Sequence, residues 1–242
     1  MIVVSGELLP EAWERSIALL WRSGFRIYTE YEEYSIDSPM TIKVLKPYEE
    51  PRIHLKGIVV GKLSQLFDYV DEVLYGTNDW RVGKDWHYTY HERLFNYTVN
   101  GNTVNQIEYV VKKLKKVPCS RRAQAITWKP WKDINVDSPP CLQRVWFRIV
   151  EDKLILHVHL RSNDALKAAF MNMIAFTELQ RIIAEKLGVE VGYYLHIADS
   201  YHVYERDWKW VKKFVEQIES GRSKRYWLTT ESFAKLAKVK KS

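Results

Sequence analysis

Cysteine is scarce in this chain: Cys119 and Cys141 are the only two in 242 residues. That excludes a disulfide-stapled fold and a closed zinc site built on thiolates, and it leaves a thiol free to react. Long apolar runs are missing too; a membrane span needs roughly 20 apolar residues in succession. The opening stretch, MIVVSGELLPEAWERS, has neither the basic start nor the apolar core of a secretory signal. Cytoplasm is therefore the default compartment, and no membrane partner is expected. Internal repeats and linker-like segments are also absent, so residues 1–242 read as a single domain. His87 and His91 stand four apart, but no HExxH arrangement surrounds them, so no metal is expected.

Apolar and charged residues are present at 46% and 28%, the balance of a folded protein rather than a disordered one. The net charge of +7 favours anionic partners without choosing among nucleic acid, acidic surfaces and small phosphorylated molecules. Apolar spacing predicts helices after Pro10 (Trp13, Ile17, Leu20, Trp21, ended by Gly24), over Leu63–Leu74 before Gly76, and over Thr103–Lys116. It further predicts helices from Asp164 to about Lys186 and around Trp210, Phe214 and Ile218. Strands are expected within Glu30–Pro51 and at Arg122–Trp128, Arg144–Val150, Lys153–Leu160 and Glu190–Ile197. Asn78–Asn102 reads as a long functional loop, and the basic end, Lys238–Ser242, as frayed. Strands mixed with helices, two of them able to form a hairpin, give an α/β (α+β) fold with a mixed sheet covered by helices.

Three segments carry chemistry. In Asp137-Ser138-Pro139-Pro140-Cys141-Leu142, two prolines fix the backbone before a thiol. Nearby arginines would favour the nucleophilic thiolate, although an inert buried cysteine is the commoner state of a lone thiol. Arg121-Arg122 and Arg161-Ser162-Asn163-Asp164 offer guanidinium groups and a hydroxyl suited to a phosphate. Taken alone, either is as easily a solvated surface. In Asp199-Ser200-Tyr201-His202-Val203-Tyr204, His202 and Tyr204 project from one face of an extended segment and suit a sugar hydroxyl, or simply packing.

The order and spacing of these pieces resemble the thymidylate synthase family: Arg121-Arg122, Pro140-Cys141, Arg161-Ser162-Asn163-Asp164, Asn172, and Asp199 to Tyr204. Asn105-Gln106-Ile107 and Trp128-Lys129-Pro130 look similar as well, and the resemblance covers roughly 53–207. It implies a homodimer that methylates dUMP to dTMP with 5,10-methylenetetrahydrofolate, or a related reduced pterin, and no metal. Cys141 would add to C6 of the pyrimidine, and Tyr90 would serve proton removal at C5. Arg161 and Ser162 would hold phosphate, with Arg121 and Arg122 reaching across to the partner's nucleotide. His202 and Tyr204 would hold the deoxyribose, and Asp164 and Trp80 the pterin. Asn172, able both to donate to O4 and to accept from N3–H, points to uracil.

The chain departs from the family pattern at Leu142, Trp146-Phe147, Leu160 and Ala168-Ala169-Phe170, and has no evident phosphate-loop arginine near its start. These changes look like a divergent, archaeal branch. The active-site acid is expected near Asp71 or Glu72. A pyrimidine nucleotide hydroxymethylase is the neighbouring alternative. A basic nucleic-acid-binding module, resting on Lys112–Lys116 and the aromatic content, is the alternative from another class, but that lysine run reads as one solvated helix face. No stable nucleic-acid partner is expected.

Overall fold

The computed structural model describes residues 1–59 and 61–239; the last residues of the basic end, 240–242, lie outside them. The chain runs through β1 (Ile2–Gly6), α1 (Leu9–Ser23), β2 (Phe25–Tyr28), β3 (Tyr34–Val44), β4 (Ile53–His54), α2 (Gln65–Tyr75) and α3 (Tyr90–Phe95). A small hairpin, β5 (Tyr97–Val99) and β6 (Asn102–Val104), leads to α4 (Gln106–Lys116), β7 (Gln124–Ile126) and α5 (Pro130–Asp133). Then come β8 (Leu142–Val150), β9 (Lys153–Asp164), α6 (Ala169–Leu187), β10 (Glu190–Tyr204), α7 (Trp208–Glu219), β11 (Trp227–Leu228) and α8 (Thr230–Val239). The main sheet is mixed, in the order β1-β3-β10-β9-β8-β7, with β2 also on β3. The expected α/β architecture is present. No helix among the described residues is long and apolar enough to cross a membrane.

The hydrophobic pattern explains the layering. Leu154, Leu156, Val158 and Leu160 of β9 are fully buried, whereas His157 and His159 on the opposite face are half-exposed. Helix α6 is buried around most of its circumference, which is why its sequence is apolar on nearly every side. It packs on the sheet and against α1, α2 and α4. Gly76 and Gly188 end α2 and α6 in the left-handed region, at φ 66° and 69°.

Among the boundaries that differ from the expected ones, three matter for the site, while Thr103 and Val104 fall in β6 rather than in the helix, which starts at Gln106. Helix α6 starts at Ala169 rather than Asp164, because Asp164 closes β9 and its Oδ1 accepts from the amides of Leu166 and Lys167 at 2.9 and 2.7 Å. Strand β10 runs past Ile197 to Tyr204, since Ser200, Tyr201 and His202 continue the parallel pairing with Ser162, Asn163 and Asp164. Residues 78–102 are not all loop: they contain α3, whose Thr89 accepts from the Glu92 amide as an N-cap, and β5.

Candidate active site

At one end of the sheet the close of β9, the close of β10 and the approach to β8 meet, and a cleft of about 1200 Å³ opens there. Cys141, immediately before β8, is half-buried in its wall. Its carbonyl accepts from the Arg161 amide at 2.8 Å, which ties the thiol's backbone to β9. The Arg161 guanidinium donates to the carbonyls of Pro139 and Pro140 at 2.8 and 3.2 Å, so the two prolines are held as well as stiffened. Burial raises the Cys141 thiol above its ordinary value, and the Arg161 charge opposes that only in part. Burial thus favours the thiol, and Arg161 is the neighbouring charge that favours the thiolate.

Ser162, Asp164, Asn172, His202 and Tyr204 line the same cleft. The rings of His202 and Tyr204 lie 4.8 Å apart, edge to face, as their spacing in an extended strand requires. His202 Nδ1 is 3.2 Å from Ser200 Oγ, which donates to Asp37 Oδ2 at 2.5 Å. Asp37 comes from β3, more than 160 positions earlier in the chain, and nothing local in the sequence marks it. Burial raises its carboxyl, opposed by the Ser200 hydrogen bond and by His202.

Opposite the strand ends stand Tyr69 and Glu72 of α2, with Asn78, Trp86, Tyr88 and Tyr90. The Tyr69 hydroxyl donates to Asn172 Oδ1. Tyr90 oxygen accepts from the Leu142 amide at 3.3 Å, fixing the backbone just after the thiol. Burial, with Tyr88 and Tyr69 nearby, holds the Tyr90 phenol well above the usual tyrosine value; burial beside Cys141 pushes Tyr88 up to about 12. Of the two acids anticipated on α2, Glu72 faces the cleft and Asp71 is exposed to solvent. Glu72 accepts from Asn78 Nδ2 at 2.8 Å, and its carboxyl is raised by burial, against that hydrogen bond.

One expected contributor, Trp80, is not brought to this cleft, and the arginine pair expected to serve a partner's cleft lies outside it as well. Trp80 is 63% exposed and absent from the lining; Trp86, backed by the Arg81 guanidinium 4.3 Å from its ring centroid, lines the wall instead. Nothing but its place in an aromatic stretch distinguishes Trp86 from Trp80 in the sequence. Arg121 and Arg122 are exposed in the loop after α4 and do not line the cleft of their own chain; their carbonyls accept from Trp146 and Tyr109.

Beneath the cleft, Arg93 is fully buried and grips Asp133 with two bonds of 2.7 and 2.8 Å while donating to the Thr127 carbonyl at 2.8 Å. This clamp joins α3, which carries Tyr90, to the segment leading towards Cys141. The sequence carries no local sign of this clamp, since Arg93 and Asp133 lie 40 positions apart.

Comparison with known proteins adds an independent line. Residues 14–240 match the family model described as Thymidylate synthase. A Methanosarcina mazei protein named "Putative thymidylate synthase" is 34% identical over 218 residues, which is 89% of this chain and 95% of the relative. A Methanocaldococcus jannaschii protein of the same name is 36% identical over 220 residues, 88% of this chain and 96% of the relative. A Bacillus licheniformis protein named "Thymidylate synthase" is 37% identical over 111 residues, 46% of this chain and 40% of the relative.

Proposed function

The chain belongs to the thymidylate synthase family, a family of methyltransferases, and on that premise we propose that it converts dUMP to dTMP, with residues 1–242 acting as one catalytic unit. The observation that carries this reading is the meeting of Cys141, Arg161, Asn172, His202 and Tyr204 in a single cleft from four separate stretches of chain. The cleft's volume of about 1200 Å³ has room for a nucleotide and a pterin together.

The nucleotide lies with its phosphate towards Arg161 and Ser162 and its sugar hydroxyl at His202 and Tyr204. The Asp37–Ser200–His202 chain of contacts orients the His202 ring. Asn172 reads the pyrimidine edge. These remote contacts hold C6 of the ring against Cys141, so that addition is an oriented, effectively unimolecular step. Arg161 favours the thiolate that attacks. Tyr90, kept neutral by burial, serves removal of the C5 proton as a relay rather than as a phenolate. Of Asp71 and Glu72, Glu72 is the one on the cleft wall, and it serves to organise solvent near the ring.

A reduced pterin, methylenetetrahydrofolate or a relative of it, supplies the one-carbon unit and the hydride when bound. The residues present fit such a group. Asp164 spends Oδ1 on two backbone amides and has Oδ2 left to accept from a pterin N–H, while Trp86 and Tyr88 offer apolar walls.

A homodimer completes the proposal. One sheet face carries a row in which Lys43, Leu195, His157 and Trp146 are register neighbours and all half-exposed, broad and partly apolar enough to pair with a second copy. Arg121 and Arg122, unused in their own cleft, would then reach the partner's nucleotide. The test is pterin oxidation with dUMP, run beside dCMP and beside a Cys141→Ser variant. Oxidation with dUMP alone, lost in the variant, is the expected result. C5 exchange without pterin oxidation would point to hydroxymethylation, and silence in both would overturn the reading.

A further inference from the structure

Asn172 lies in the first turn of α6 and is 4% exposed. Its Oδ1 receives the Tyr69 hydroxyl, delivered from α2, and its Nδ2 has no hydrogen-bond partner among the described residues. The Tyr69 hydroxyl has no second partner among them either. Helices α2 and α6 pack against each other, so the two side chains are held face to face by the core rather than meeting by chance at the surface.

A side-chain amide has two orientations that fill the same space and differ only in which end donates. A phenol has one proton. Burial keeps that proton in place on Tyr69, whose phenol lies well above the usual tyrosine value, with Glu72 close by adding to the effect. With Oδ1 turned to Tyr69, the phenol's proton is used and Nδ2 is left to the cleft. With the amide reversed, Nδ2 would donate to the phenol oxygen, and the phenol's own proton would lose its acceptor in a half-buried wall. The two orientations are therefore unequal, by about one hydrogen bond.

We propose that Tyr69 is a positioning residue for base selection: by donating to Asn172 Oδ1 it fixes the amide so that Nδ2 is presented to the ring. This rests on the reading of the cleft as a pyrimidine nucleotide site. A fixed Nδ2 donor matches the O4 acceptor of a 4-oxo ring, while the second lone pair of Oδ1 accepts from N3–H. A 4-amino ring offers the opposite pattern, a donor at position 4 and an acceptor at N3, and needs the reversed amide. Selection for uracil thus depends on a phenol that acts through the Asn172 amide.

The experiment is calorimetric binding of dUMP and of dCMP to the full-length protein and to Tyr69→Phe, with thermal unfolding as a check on the fold. The substitution keeps the ring and removes only the hydroxyl, so a change in the wall's shape is not expected. The wild-type protein prefers dUMP, and in Tyr69→Phe the ratio of dUMP to dCMP affinity falls by about fivefold to tenfold, chiefly through weaker dUMP binding. A ratio that stays the same, whether both nucleotides weaken together or neither changes, overturns the role of Tyr69 and leaves the functional reading standing. A wild-type protein that binds neither nucleotide overturns both.

Discussion

On one wall of the cleft, Cys141, Arg161, Ser162, Asp164, His202 and Tyr204 stand at the end of three adjacent strands, held in register by β8, β9 and β10. On the other wall, Tyr69, Glu72, Trp86 and Tyr88 come from one helix and an irregular segment. The strand wall is set by backbone pairing, which fixes each side chain to within a residue of its partner. The helix wall is set by packing and by single hydrogen bonds such as that from Tyr69 to Asn172. Under the proposed reading, chemistry that demands fixed distances, at the thiol and at the phosphate, belongs to the first wall. Recognition that can be retuned by one substitution sits on the second.

The largest effect that would break this contrast is on the clamp beneath the cleft. Arg93→Ala leaves Asp133, 1% exposed, without its partner, and is expected to cost about 3–5 kcal/mol of stability. In a chain of this size that is a fall of about 10 °C in Tm, read by calorimetry. A much smaller loss would mean that α3 and Tyr90 are held by packing alone. Smaller, and confined to the helix wall, is the outcome expected of the two tryptophans. Trp86→Ala raises the pterin KM by about tenfold, as loss of one aromatic anchor does, while Trp80→Ala leaves it within about twofold; steady-state kinetics decides. The reverse order would move the pterin out of this cleft.

The smallest effect concerns the thiol. Because burial raises the Cys141 pKa, its alkylation by iodoacetamide should be slow at neutral pH and should accelerate only above the pH at which an ordinary cysteine does. Arg161→Ala removes the opposing charge, so the midpoint should move higher still. A midpoint below that of free cysteine would show that Arg161 outweighs burial.

These two walls were not equally legible in the sequence. Residues 137–142, 161–164 and 199–204 each bring several cleft-lining groups within six positions or fewer, because a strand end and the turn beside it carry neighbouring or alternate residues to one place. Their order along the chain was enough to reveal the family. Asp37, Tyr69 and Trp86 are isolated in sequence and reach the cleft only through tertiary packing, so no local pattern announces them. Position 69 sits among the apolar residues of α2, where a tyrosine looks like ordinary core. The boundary at Asp164 was hidden for a related reason: its side chain satisfies two amides that a helix would otherwise have left free, so the strand continues to it and the helix starts later.

The central claim is that Cys141 adds to C6 of a uracil nucleotide and so labilises the hydrogen at C5. It is tested most directly by tritium release from dUMP labelled at C5, in the presence of the reduced pterin, with wild-type protein and with Cys141→Ser. The account predicts release by the wild-type protein and a loss of at least about a thousandfold in the variant. Release at an undiminished rate from Cys141→Ser, or none from the wild-type protein, would contradict it.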